Sequence, residues 1–114
     1  MAAAHYKLDN LTVIIDNNGL QIDGKVTDVI DPTPFDEKFR AFGWNVIVID
    51  GHNFDEIEAA VEAAKAHKSK PTAIVAHTVK GKGVSFMEGK SAWHGKAIPD
   101  AEFAQAMQEL GGNV

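Results

Sequence analysis

Three short runs constrain this chain more than anything else in it: LTVIID at 11–16, NVIVID at 45–50 and TAIVAH at 72–77. Each is continuously apolar and rich in β-branched residues. A strand with one wet face alternates polar and apolar positions, whereas a run without alternation fits a parallel strand covered on both faces. Each run also stops in polar residues: Asp16-Asn17-Asn18-Gly19, Asp50-Gly51-His52 and His77-Thr78-Val79-Lys80.

Helical patterns separate the runs. MAAAHYKL at the start reads as the last turns of a helix. A second helix starts at Thr33-Pro34, with Pro at the tolerated first position, and stops at Gly43. Phe35, Phe39 and Phe42 form its apolar stripe. Asn53 caps a third, with Glu56 as the capping-box partner, and Ile57, Ala60, Val61 and Ala64 face inward. Pro71 closes that segment. A fourth begins near Pro99-Asp100, carries Phe103, Ala104, Met107 and Leu110, and ends at Gly111-Gly112.

Strands alternating with helices imply right-handed crossovers. The fold class expected is therefore α/β: three-layer, a mainly parallel sheet with flanking helices. In such sheets ligands gather beyond the carboxyl ends of the strands, where this chain's polar residues cluster.

Bulk properties narrow the function. The 114 residues match one small domain, and 45% of them are hydrophobic, enough for a small core. The formal net charge of −5 argues against a nucleic-acid partner, since phosphate backbones need a basic face. There is no cysteine, hence no thiolate metal site and no Cys nucleophile, and the cytoplasm is the expected compartment. No signal peptide is visible and no apolar run approaches the ~20 residues of a membrane span, so no membrane partner is expected.

Asn17-Asn18-Gly19 has two readings. Asn-Gly between apolar β-prone segments is a strong hairpin signal, because both residues tolerate positive φ. The alternative is a metal–phosphate loop, since Asp and Asn offer hard oxygens and Gly admits a ligand to the backbone. The position at a strand's carboxyl end raises the second reading.

Lys80-Gly81-Lys82-Gly83 suits an anion, with two cations on a freed backbone, but it is not a Walker loop and equally describes a solvated basic turn. Ser91-Ala92-Trp93-His94-Gly95 ends an irregular stretch running from 78 to about 98, long enough to suggest function. Its histidine is either a phosphate ligand or proton shuttle, or a surface residue beside a packed Trp. His5, His52, His67 and His77 make no zinc pattern. His67 is expected in solvent and His52 in the turn before the Asn53 cap. Asp23, Asp28, Asp31, Asp36 and Glu37 read as an acidic surface. No serine nucleophile has an identifiable partner.

Taken together, the stretches "AAHYKLDNLTVIIDNNGLQIDG", "FRAFGWNVIVIDGHN", "KPTAIVAHTVKGKGV" and "WHGKAIP" resemble the transketolases, in the family's order and spacing, from residue 3 to about 99. The resemblance implies a partial diphosphate-binding domain over 1–114, with thiamine diphosphate and Mg²⁺ (or Ca²⁺) as cofactors. It implies that the Asn18 side chain and the Leu20 carbonyl are metal ligands; a loop of this kind leaves room for a short strand at 20–23 after it. Lys80 then lies near the cofactor diphosphate. His94 is both a cofactor-binding and a catalytic residue, between the diphosphate and a sugar phosphate. No role is transferred to Asp50, His52 or Trp93.

The family's third metal ligand, an Asp in Gly-Asp-Gly about thirty residues upstream, has no counterpart here, and neither has the pyrimidine-binding domain with its activating Glu. The implied function is that of a transketolase fragment or subunit. It would move a two-carbon ketol unit between ketose and aldose phosphates, as in the pentose phosphate pathway. It would do so only with another transketolase chain, or as a homo-oligomer, that supplies the missing parts. The isolated chain is expected to be inactive. A catalytically silent assembly module is the alternative, and a deoxyxylulose-phosphate synthase relative ranks third.

Overall fold

The computed structural model describes residues 1–112. In chain order the elements are α1 (Ala2–His5), β1 (Thr12–Asn17), β2 (Leu20–Gln21), β3 (Gly24–Lys25), α2 (Val26–Val29) and α3 (Phe35–Ala41). Then come β4 (Asn45–Asp50), α4 (Phe54–Ala66), β5 (Thr72–His77), a 3₁₀ turn (Ser91–Trp93) and α5 (Asp100–Glu109). Two compact units result: Met1–Asn17 with Pro32–Thr78, and Asn18–Asp31 with the chain from Val79 onward.

The first unit is built on a parallel sheet in the order β1–β5–β4. Ile14, Ile74 and Ile47 stand in register across it, and so do Ile15, Val75 and Val48. Successive side chains alternate between faces, so the two rows point to opposite sides. On the isoleucine side, Ala60 and Ala64 of α4 pack with Ile49, Ile74 and Ala76, and Ile57 and Val61 close the cluster. On the other side Phe35 of α3 lines a cavity with Val48 and Val75. This is the expected layered α/β arrangement, with helices on both faces of a mainly parallel sheet.

The expectation that all three strands are covered on both faces is corrected. Only β5 is: Thr72–Ala76 are buried throughout, and the Thr72 hydroxyl accepts a hydrogen bond from Asn45 Nδ2 at 3.1 Å. Ile14 of β1 is 64% exposed and Val48 of β4 44%. A helix about 10 Å across covers roughly two strands spaced about 4.8 Å apart, so one helix per face leaves sheet edges bare.

Asn53 caps α4 as expected, its Oδ1 accepting from the N–H groups of Asp55 and Glu56. Glu56 completes the cap differently from a standard capping box. It takes the Asn53 amide and the Asp50 N–H, tying the helix start to the end of β4. Pro34 precedes α3 instead of occupying its first turn, and Phe42 lies beyond the helix, half exposed, while Phe39 packs edge-on against Trp44. His67 is corrected too. The chain leaves α4 there in extended conformation, so the ring no longer follows the helix's polar face, and its Nε2 is buried without a partner.

In the second unit, β2 and β3 form a small antiparallel hairpin, Leu20 opposite Lys25 and Gln21 opposite Gly24. The single turn of α2 that follows, VTDV, has no amphipathic signal and was not foreseeable from periodicity. α5 forms where expected, but Ala106 and Met107 carry its inner face, while Phe103 and Leu110 are 46% and 60% exposed. The reason lies one residue row away. Glu109, itself exposed, is fastened to the N–H and hydroxyl of Ser85, which holds the turn carrying the buried Ala106 against the loop that carries Ser85.

Candidate functional site

The Asn-Gly segment after β1 does not join paired strands. β1 pairs with β5, and β2 with β3, so the hairpin turn lies at Ile22-Asp23. What the segment makes is a local turn closed by Asn18 itself: the Leu20 N–H donates to Asn18 Oδ1 at 2.9 Å. Gly19 sits at φ +71, the left-handed conformation the turn needs, and its carbonyl accepts from the Val26 N–H at 3.0 Å. An amide oxygen carries two lone pairs, so Asn18 Oδ1 keeps one acceptor site beyond this bond. The turn thus presents hard oxygens on a fixed backbone, a donor set that suits a hard divalent cation.

The neighbouring polar residues are committed elsewhere. Thr78 donates its hydroxyl to Asp16, and the Thr78 N–H reaches the Asn17 carbonyl at 3.4 Å. Asn17 Nδ2 lies 3.4 Å from His77 Nδ1. Asp16 therefore braces the ends of β1 and β5. Sequence reasoning passes over Thr78: Asp16 stands opposite Ala76, two residues before Thr78, a register that only the folded ladder shows.

The second candidate stretch, 79–96, holds four lysines and His94 against a single Glu in a chain that is otherwise acidic. Gly81 is required where it stands: at φ +72, an added Cβ would meet the Met87 backbone at 2.8 Å. Hydrogen bonds from Lys82 N–H to Val79 O and from Gly89 N–H to Lys80 O fold the loop back on itself. The two lysines of the motif then part company. Lys82 lies 4.0 Å from Glu88, whose carboxylate also accepts the Gly83 N–H at 2.9 Å. Lys80, half-buried, has no ion pair or side-chain hydrogen bond among the described residues. An ammonium without a counter-ion in such a turn is open to an anion.

His94 is exposed, directly after the 3₁₀ turn, its N–H bonded to Ser91 O at 2.9 Å. Trp93 is half-buried, its ring 5.4 Å from Phe86 and its indole N–H on Phe86 O at 3.1 Å. Lys96 Nζ sits 4.0 Å over the indole. Farther along, the amide of Gln105 and the N–H and hydroxyl of Ser85 hold the Glu109 carboxyl below the usual carboxylate range.

Asn18, Leu20, Lys80 and His94 all belong to the second compact unit. Asn18 and Leu20 are in direct contact, while no hydrogen bond or ion pair joins them to Lys80 or His94. Among the described residues no cluster of three or more His, Cys, Asp or Glu side chains forms a metal cage, so a metal here must use amide, carbonyl and ligand oxygens.

Comparison with known proteins bears on this geometry. The family model described as "Transketolase, thiamine diphosphate binding domain" matches residues 1–114. A 6-deoxy-6-sulfo-D-fructose transketolase subunit of a Clostridium species is 46% identical over 110 residues, 96% of this chain and 40% of that protein. Human transketolase is 39% identical over 115 residues, 95% of this chain and 17% of that protein. The crystal structure of Campylobacter jejuni transketolase superposes with a TM-score of 0.90 at 33% identity, covering 98% of this chain and 17% of that one. The chain spans less than half the length of each of these relatives.

Proposed function

Since this chain belongs to the transketolase family, through its thiamine diphosphate binding domain, we propose that it contributes half of a metal–diphosphate site to a transketolase assembled with further polypeptide. In this reading the Asn18 side-chain oxygen and the Leu20 carbonyl hold Mg²⁺. Lys80 takes a diphosphate oxygen, and His94 stands toward the diphosphate and the substrate, where it binds or relays a proton. The observation that carries the reading is the Asn18–Leu20 turn, in which the amide oxygen is fixed by the backbone of the residue whose carbonyl would be its co-ligand.

The residues present fit the group in kind: hard oxygens for Mg²⁺ and an unpaired cation for phosphate. When bound, thiamine diphosphate supplies the carbanion chemistry of two-carbon ketol transfer between ketose and aldose phosphates. This chain's part is to anchor and neutralise the diphosphate and to place His94. The Gly-Asp-Gly aspartate and the activating glutamate of the pyrimidine domain are not among these 114 residues, so another chain, or a longer form of this one, provides them. The curated Clostridium relative and two apulose-4-phosphate transketolase relatives are themselves called subunits, which supports such a division. The cytoplasm is the compartment proposed. No helix among the described residues is long and apolar enough to cross a membrane.

A thermal melt with Mg²⁺ plus thiamine diphosphate tests the proposal. Ligand at about 100 times its dissociation constant adds roughly 2.7 kcal/mol, a rise on the order of 10 °C for a domain this size. The rise is expected in the unaltered chain and is expected to vanish in Asn18→Ala, while these residues alone transfer no two-carbon unit. A cooperative melt with no rise, or turnover by the purified chain, sinks the proposal.

A second reading, an assembly module without catalysis, rests on one observation: the β1 edge, where Ile14 is 64% exposed beside a cavity of about 280 Å³ lined by Ile49, Ile57, Val61 and Ile74. An open strand edge with an apolar face invites pairing. Concentration-dependent sedimentation without any cofactor-induced rise in the melt decides for it.

A further inference from the structure

We infer that Trp93 is the positioning residue that locks the His94 turn onto the Lys80 loop, so that lysine and histidine act on one anionic group. The inference rests on the diphosphate reading above and adds a residue to which neither motif nor resemblance gave a role.

From Val79 to Lys96 the only regular element is the three-residue 3₁₀ turn. Nothing like a helix or a sheet holds His94 in place, so its position depends on a few cross-links. Gly89 N–H bonds Lys80 O at 2.9 Å, Lys90 N–H bonds Met87 O at 3.1 Å and Trp93 N–H bonds Lys90 O at 3.3 Å. These are local bonds, each bracing one bend. The Trp93 side chain is the one that reaches back across seven residues. It donates to the Phe86 carbonyl at 3.1 Å and lays its ring against the Phe86 ring at 5.4 Å and 59°.

Phe86 follows Ser85, which is anchored to Glu109, and its neighbour Met87 fills the space against Gly81, next to Lys80. The indole therefore fastens the histidine's turn to the same short stretch that packs beside the lysine. Lys96 Nζ, 4.0 Å from the centroid of the indole and 3.5 Å from Glu102, is a further contact of the same ring. A phenyl ring at 93 would keep the packing and lose the donor, which separates positioning from mere filling of space.

The test is an NMR titration of the labelled chain with inorganic pyrophosphate, following the His94 imidazole and the Lys80 side chain. In the unaltered chain both resonances are expected to shift together. Pyrophosphate is also expected to slow hydrogen exchange of the Trp93 indole N–H and the His94 amide in parallel. In Trp93→Phe, Lys80 is expected still to respond, His94 to fall silent, and affinity to drop about two- to tenfold, the worth of one hydrogen bond. Exchange at the Ala106 amide, in the same unit, is expected to stay unchanged. A Trp93→Phe chain in which His94 responds as before overturns the positioning role and leaves the anion site standing. So does slowing of the His94 amide without the indole in the unaltered chain. If pyrophosphate moves neither Lys80 nor His94 in the unaltered chain, the diphosphate reading itself fails and the latch has nothing to position.

Discussion

β1 and β5 are nearly interchangeable as text, TVIIDN against TAIVAH, yet they live in different solvents. β5 is buried from Thr72 through Ala76, while β1 alternates between exposed and half-buried. Ile74 and Ile14 are direct neighbours in the ladder, one 1% and the other 64% exposed. The difference lies in place and not in composition. β5 has strands on both sides and a helix over each face, whereas β1 has a neighbour on one side, and its Ile14 faces α4 across a cavity instead of packing against it. An apolar run announces that a surface is to be covered; it does not say by what, and in β1 the cover is not α4.

The largest effect expected from this contrast comes from truncating the pair. Ile74→Ala should cost about 2–5 kcal/mol in a urea titration, because transfer and cavity terms add at a site that cannot collapse. Ile14→Ala should stay within about 0.5 kcal/mol, as surface substitutions do. Equal losses at dilute concentration would break the comparison and mean that the β1 face is covered in solution.

A smaller effect separates strand placement from helix cover. Asn53→Ala removes the oxygen that accepts two N–H groups at the start of α4 and should cost about 1 kcal/mol. A loss as large as that of Ile74→Ala would show that the β5 core depends on the first turn of α4 more than on the position of the strand.

The smallest effect is electrostatic, on the opposite face. A hydrogen bond from Arg40, 2.5 Å away, holds the Asp36 carboxyl of α3 below its usual range. The unfolded chain then binds the proton more readily. The stabilisation is present above the ordinary carboxylate range and is lost as pH falls through the lowered one. Asp36→Asn should lower stability slightly at pH 7, less so at high salt, and leave it unchanged where the carboxyl is protonated, so that the fall in stability below about pH 4 becomes shallower. An unchanged acid limb would show that the pair is too well solvated to matter.

At the candidate site the same division holds between what a stretch of sequence announces and what its neighbours make of it. The two lysines of Lys80-Gly81-Lys82-Gly83 are equivalent in the motif. Glu88 neutralises one of them, and only the folded loop tells which. Trp93 looked like a packed aromatic beside His94; its indole N–H on a carbonyl seven residues back is invisible to any periodicity. Asn-Gly after β1 is a hairpin signal that local chemistry favours and that the ladder overrules, since β2, the strand that follows it, pairs with β3 and not with β1.

What the residues settled without help is local. Unbroken β-branched runs ending in polar residues meant parallel strands with a chemical edge, Asn53 meant a cap, and the quoted motifs meant the transketolase family. These follow from backbone propensity, side-chain period and short-range hydrogen bonding, all confined to a few neighbouring residues. The fold decided which apolar run is central, which way α5 turns its face, which lysine stays unpaired and where His67 and Trp93 point. Each of those depends on contacts between residues far apart in the chain, whose energies are set by burial and by competition for partners, quantities that no single stretch of sequence contains.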